Sequence, residues 1–185
     1  MSGDPATLAQ IARALAAVHD CDGAGLKVTT PRWARHCPPD ASDFEQRVWR
    51  LVHDLATDAG PPTALVHLDF HPANTLWYRG RLSGIIDWEN GARGWPAEDL
   101  AKCRAYLTIT HDRRVADELR AAYEAEIGAA VPFLALAEMA YGIGLQRQAD
   151  LRAFALRQSG FPTMTEHHVR SRLQQFVEGA RRVAG

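Results

Sequence analysis

The sequence predicts a mainly α-helical single domain with a small β-hairpin element in its middle, an α+β chain spanning residues 1–185. Three observations predict it. Apolar residues recur at steps of three and four through most of the chain, which is the helical period. A central stretch switches to short apolar runs around a tight turn. At 185 residues, 46% apolar and 23% charged, the chain can bury a core of ordinary size. The same proportions exclude a disordered chain, a collagen-like repeat and a coiled coil.

From Pro5 to His19 the residues Leu8, Ile11, Leu15 and Val18 form one stripe, and Asp4 before Pro5 supplies a cap and a first-turn proline. Residues 21–41 hold Gly23, Gly25, Pro31, Pro38 and Pro39 without a lasting period, which reads as an irregular connection. Phe44, Val48, Leu51, Val52 and Leu55 mark a second amphipathic helix, closed by Gly60, Pro61 and Pro62. Ala64 to Phe70 reads as a strand, and Thr75–Tyr78 and Leu82–Ile86 flank Arg79-Gly80-Arg81 as a hairpin. Pro96 then opens a helix to about Ile109, and Val115, Leu119, Tyr123 and Ile127 mark the next. The stretch from Val131 to Leu156 is helical and mostly apolar. A last helix carries Val169, Leu173, Phe176 and Val177, with Thr163 and Glu166 at capping-box spacing.

Charge narrows the function. Lys plus Arg is 21 against 22 for Asp plus Glu, a net charge of -1, so no global field draws the chain to nucleic acid or to an anionic membrane. Cys21, Cys37 and Cys103 are odd in number and form no CxxC pair, the usage of a reducing compartment. The N-terminus MSGDPATLAQ lacks the basic and apolar regions of a signal peptide, and no run reaches the roughly 18 apolar residues of a membrane span. A cytoplasmic protein is expected. Only Lys27 and Lys102 are lysine, so few primary amines are available for chemistry.

The polar residues that need explaining lie in His67-Leu68-Asp69-Phe70-His71-Pro72-Ala73-Asn74 and in Ile85-Ile86-Asp87-Trp88-Glu89. Each piece ends an apolar, strand-like run, where a carboxylate is costly to bury without a partner. Asp69 and Asn74, with a proline between them, fit a loop that turns back on itself, and Asp87 at the far end of the hairpin can return to the same place. Phosphoryl transfer from a nucleotide needs such a set: a carboxylate to accept the proton of a substrate hydroxyl, and an amide oxygen with a second carboxylate to hold magnesium across the phosphates. Protein kinases arrange it as HRDxxxxN followed by a metal-binding Asp, and His67-x-Asp69-x4-Asn74 has that internal spacing.

HLDFHPANTLW followed by GIIDWENGARGWPAEDLA resembles the aminoglycoside phosphotransferase (APH) family of kinase-like small-molecule phosphotransferases. The likeness is strong over residues 64–102 and looser in the first helix, which ends Leu15-Ala16-Ala17-Val18-His19. It implies a protein-kinase-like C-terminal lobe, with ATP or GTP as donor, magnesium (Mg2+) as metal and a hydroxyl of a small molecule, an antibiotic among the candidates, as acceptor. It implies that Asp69 is the catalytic base, that Asn74 and Asp87 are the magnesium and nucleotide ligands, and that His67 supports the loop. His71 and Pro72 match the family's HPxN variant, Asp99 anchors the loop from the following helix, and Glu89 lies beside the metal. Position 68, usually glycine in the family, is Leu68, which adds bulk to a tight turn.

A complete member also carries an N-terminal β-rich lobe with a phosphate-binding lysine. The sequence has no GxGxxG and no GxxxxGK, and neither Lys27 nor Lys102 stands in the chain order of that lysine. The resemblance therefore implies the C-lobe alone over 1–185. Weak or absent transfer by this chain is expected, with a surface left for an N-lobe partner or for self-association. A non-catalytic binding or regulatory remnant is the alternative. A zinc hydrolase built on His67, Asp69 and His71 is a third reading. Glu118, Glu124, Glu126 and Glu138 read as a solvated face, with an acidic pocket for a cationic substrate as their functional alternative. Trp88, Trp95 and Cys103 read as packing residues, and His167-His168 as a solvated helix face.

Overall fold

The computed structural model describes residues 3–29, 37–58 and 64–184. Helix α1 spans Pro5–His19, and the Asp4 carboxylate accepts from the Thr7 N–H at 3.0 Å and the Thr7 hydroxyl at 2.7 Å. Its stripe of Leu8, Ile11 and Leu15 is buried as the spacing requires. Helix α2, Asp43–Asp58, starts with a reciprocal capping box that the sequence reading overlooked: the Ser42 N–H donates to Glu45 Oε2 at 2.7 Å and the Glu45 N–H to Ser42 Oγ at 3.3 Å. Val48 and Val52 are buried, but Leu51 is exposed, so the buried stripe is narrower than expected. The Leu55 side chain and the expected closure at Gly60, Pro61 and Pro62 lie outside the described residues.

The anticipated strand over 64–70 stops early. Strand β1, Ala64–Val66, pairs antiparallel with β4, Ala92–Gly94, a partner the sequence did not announce. Beyond Val66 the chain turns because the Asp99 carboxylate takes the N–H groups of both His67 and Leu68, at 2.6 and 2.7 Å, leaving none for a ladder. The expected hairpin forms, with Arg81 opening its second strand rather than lying in the turn. β2, Thr75–Tyr78, and β3, Arg81–Ile85, are joined by Arg79 and Gly80, both with positive φ (50° and 74°), the geometry of a type I′ turn whose twist matches that of the strands.

Helix α3, Pro96–Thr110, is buried from Ala97 to Ile109 and forms the axis on which α4 (Arg113–Ile127), α5 (Leu134–Gln146) and α7 (Glu166–Ala184) pack. Asp112 caps α4 by accepting from the Val115 N–H at 2.9 Å, and α1 lies along α4. α5 and α7 pack closely because Gly142 has no side chain: a Cβ there would lie 2.4 Å from Val177 Cγ2. α6, Ala149–Gln158, lies against α7. The cap of α7 is Thr165, whose Oγ1 accepts from the His168 N–H at 3.1 Å, rather than the expected Thr163. Phe70, Leu100, Leu107, Leu119 and Tyr123 form the main core with the α1 stripe, directly behind the loop that carries Asp69. Among the described residues no helix is long and apolar enough to cross a membrane.

Candidate functional site

Asp99 builds the loop. Besides gripping the His67 and Leu68 N–H groups, its Oδ2 lies 3.2 Å from His19 Nε2, and His19 Nδ1 lies 2.6 Å from the Tyr123 hydroxyl. A fully buried carboxylate on α3 thus has partners on both oxygens, drawn from α1 and the loop, with Tyr123 of α4 behind His19. Its hold forces Leu68 into the left-handed region at φ 61°, a conformation that costs a non-glycine residue roughly 1–2 kcal/mol. The expected bulk does not crowd the turn, because the Leu68 side chain is buried against Val66 and Ala92. His67 completes the frame. Its Nδ1 accepts from the Asp69 N–H at 3.2 Å, so its Nε2 donates to the Ile86 carbonyl at 2.8 Å, tying the loop to the end of β3.

Two further bonds gather the predicted residues. Asn74 Nδ2 donates to the Asp69 carbonyl at 3.0 Å, and the Ile86 N–H donates to the Asn74 carbonyl at 3.0 Å, which sets Asp87 one residue from the Asn74 backbone. Asp87 is itself left-handed, at φ 68° and ψ 50°, so the chain leaves β3 in a sharp turn. Trp88 packs over His67 with ring centroids 4.6 Å apart and donates to the Ile85 carbonyl at 2.8 Å, the packing role expected of it. Glu89 is exposed and accepts at 3.4 Å from its neighbour Asn90.

Asp69 lies at the mouth of this frame, partly exposed, and pairs with Lys102 of α3. Burial pulls its carboxyl upward, but the hydrogen bond and charge of Lys102, with lesser help from His71 and His67, outweigh that and hold it below the usual carboxylate value. His71 Nδ1 accepts from the Ala73 N–H at 3.3 Å, and its Nε2 lies 3.9 Å from Asp69 Oδ1. Burial is the main reason the His71 imidazole falls to about 4; Lys102, Arg152 and His67 add to it against the opposing pull of Asp69. His71 is therefore neutral at pH 7.

Lys102, His19 and Tyr123 were not singled out by sequence. Chain order had set Lys102 aside, yet its amine reaches Asp69 across a separation of 33 residues. Lys27 is exposed. The only advance signal for His19 was its place at the end of the looser match in α1.

Two alternatives lose their footing. Both ring nitrogens of His67 are engaged within the protein, and among the described residues no group of three or more His, Cys, Asp and Glu side chains is placed to share an ion, so the His67-Asp69-His71 zinc set does not assemble. The acidic pocket does not form either: Glu118, Glu124, Glu126 and Glu138 pair with Arg114, Arg120, Arg13 and Arg104 respectively. Glu138 departs from the solvated face as well, being buried on α5. His168 is half-buried, with Nε2 3.1 Å from the Ile109 carbonyl, whereas His167 is exposed as expected. Cys103 is fully buried.

The sequence profile of the phosphotransferase enzyme family, APH, matches residues 2–134. The chain belongs to that family. Among solved structures it is similar to macrolide 2'-phosphotransferase type I, with a TM-score of 0.55 and 25% identity over 95% of this chain and 60% of the other. It shares the fold of a thermostable mutant of aminoglycoside phosphotransferase APH(4)-Ia, with a TM-score of 0.58 and 18% identity over 95% of this chain and 65% of that one. The fold is also that of macrolide 2'-phosphotransferase MphH from Brachybacterium faecium, with a TM-score of 0.54 and 19% identity over 92% and 61%. The chain thus spans 60% to 65% of the length of these APH-type structures. No curated protein sequence is significantly similar to it.

Proposed function

We propose that this chain carries the catalytic carboxylate and metal-holding residues of an APH-type phosphotransferase that moves the γ-phosphate of ATP or GTP to a hydroxyl of a small molecule. The observation that carries this is the tie between Asn74, the Asp69 carbonyl and the Ile86 N–H, which brings the Asp69 loop and Asp87 to one mouth. Asp69 accepts the proton of the acceptor hydroxyl while that oxygen bonds to the γ-phosphorus and the bond to the β,γ-bridging oxygen breaks. Lys102 keeps Asp69 ionised and pointed; His67 and Asp99 hold the loop backbone.

The donor set suits a hard cation. With its nitrogen donating to the Asp69 carbonyl, Asn74 presents its amide oxygen on the other side, and the exposed Asp87 carboxylate makes no hydrogen bond or ion pair among the described residues. These two oxygens would hold magnesium, a ligand type it prefers to nitrogen or sulfur. The metal, when bound, neutralises charge across the phosphates. Leu76 and Ile86, exposed on the hairpin beside Asp87, offer an apolar bed for a purine. With Tyr78 and Trp88 they also support closure of this face by a covering lobe.

Calorimetry with magnesium and ATP tests the reading on wild type and on Asp87→Ala. Heat of nucleotide binding that requires magnesium and is lost in the variant is expected. Binding unchanged in Asp87→Ala would remove Asp87 from the metal site and the reading with it. The remnant alternative predicts no magnesium-dependent binding in either protein.

A further inference from the structure

Past His71, the end of α3 and the length of α6 enclose a cavity of about 270 Å³. His71 belongs to both places: its Nε2 faces Asp69, and its ring stacks on Tyr106 of the cavity wall, centroids 4.5 Å apart and planes 19° apart. A hydroxyl presented at this end of the cavity lies next to the carboxylate. The volume is below the roughly 300–1,000 Å³ of sites for drug-sized ligands, so it suits a compound of about one ring rather than a chain of amino sugars.

The wall decides the polarity. Leu156, Phe161, Ala155 and Pro72 supply an apolar surface, and no aspartate or glutamate lines it. Arg152 does. Its guanidinium donates to the Tyr106 hydroxyl at 2.9 Å and to Gln148 Oε1 at 3.0 Å, both neutral, so no carboxylate offsets its charge there. Its Nε is buried with no acceptor among the described residues. A buried donor of this kind costs about 1–3 kcal/mol until something accepts from it. The other groups facing the cavity bring no negative charge: His71 is neutral, Tyr106 is pushed up by burial, and the remaining polar side chains, Thr110, His111 and Ser159, carry no acidic oxygen. Asp69, at the rim, is paired with Lys102.

We propose that this cavity takes the acceptor, and that Arg152 selects a one-ring hydroxyl compound bearing a carboxylate or similar anionic oxygen and rejects amine-bearing ones. That the occupant is the acceptor rests on the phosphotransferase reading; the charge selection does not.

The test uses 3-phenyllactate and phenylalaninol, which share a phenyl ring and a hydroxyl but carry opposite charges. Both are titrated by calorimetry at pH 7 without nucleotide, so a failed magnesium-ATP experiment leaves this one intact. Phenyllactate is expected to bind about tenfold or more tighter than phenylalaninol, the ratio that roughly 1.4 kcal/mol of charge discrimination gives. Arg152→Gln should level the two, and Arg152→Lys should keep the order. Ala155→Trp, filling the cavity from an exposed helix position, should abolish phenyllactate binding with the melting temperature retained. Phenylalaninol binding as tightly as phenyllactate, a preference that survives Arg152→Gln, unchanged binding to Ala155→Trp, or no binding of phenyllactate at all would each overturn the proposal.

Discussion

Lys102 shows how one side chain sets the state of another. Burial alone would raise the Asp69 carboxyl, and the amine reverses the outcome. Lys102→Met should therefore move the Asp69 pKa upward, because the carboxylate loses its counter-charge while its burial remains. Carbon-13 NMR of the Asp69 carboxyl reads this directly, and an unmoved titration would show that Lys102 does not govern it. His71 gives a second prediction at this scale. Its folded pKa of about 4 lies below the ordinary 6.5, so between those values the unfolded chain binds the proton first. Stability contributed by neutral His71 is complete above pH 6.5 and is lost as pH falls toward 4, to an extent of order 3 kcal/mol. The depressed Asp69 acts in another window, below its ordinary 3.8. His71→Asn keeps an acceptor for the Ala73 N–H and removes the titration. Urea unfolding from pH 7 to 4.5 should show a smaller drop for this variant than for wild type, and equal drops would remove His71 as the cause.

The helices are held by more than apolar stripes. Arg104 of α3 is buried, pairs with Glu138 of α5 and Asp117 of α4, donates from Nε to the Ala116 carbonyl at 3.0 Å, and lies over the Phe176 ring of α7 at 5.9 Å. Four helices meet on one guanidinium. Burial and the neighbouring Arg120 and Arg113 lower its pKa to about 10 against the opposing pull of Asp117, so it stays charged at neutral pH and depends on its partners. Glu138→Ala leaves that charge short of its most buried partner and should destabilise the fold by about 3 kcal/mol, the lower end for a broken buried pair because Asp117 remains. A loss below about 1 kcal/mol in urea unfolding would show the pair to be dispensable. On α3 the polar residues Glu98, Asp99, Lys102 and Arg104 are buried instead of facing water, so the helix has no solvated side for periodicity to reveal.

At the scale of the molecule, the apolar clusters share helices. α3 supplies Leu100 and Leu107 to the main core and Ala105 and Ile109 to the cluster under α6, and α7 divides Phe176 and Val177 between that cluster and the one beneath α2. Clusters that share helices cannot separate without exposing apolar surface in each. Unfolding should be a single transition, with the fluorescence of the five tryptophans and far-UV circular dichroism giving one midpoint in urea. Distinct midpoints would show that α2 or α6 melts on its own.

The sequence by itself determined the helices whose apolar stripes repeat at helical spacing, the β-hairpin around Arg79-Gly80-Arg81, and the loop residues His67, Asp69, Asn74, Asp87 and Asp99. These depend on short-range geometry: a period, a turn, a fixed spacing along one loop. The tertiary structure alone decided that β1 ends at Val66, that Lys102 meets Asp69, that His19 reaches Asp99 across 80 residues, and that Arg152 stands beside the Asp69 loop without a carboxylate. The reason is the same in each case. A buried polar group takes whichever partner the packed helices bring to it, and that choice is made by contacts between distant segments, which leave no repeat in the chain.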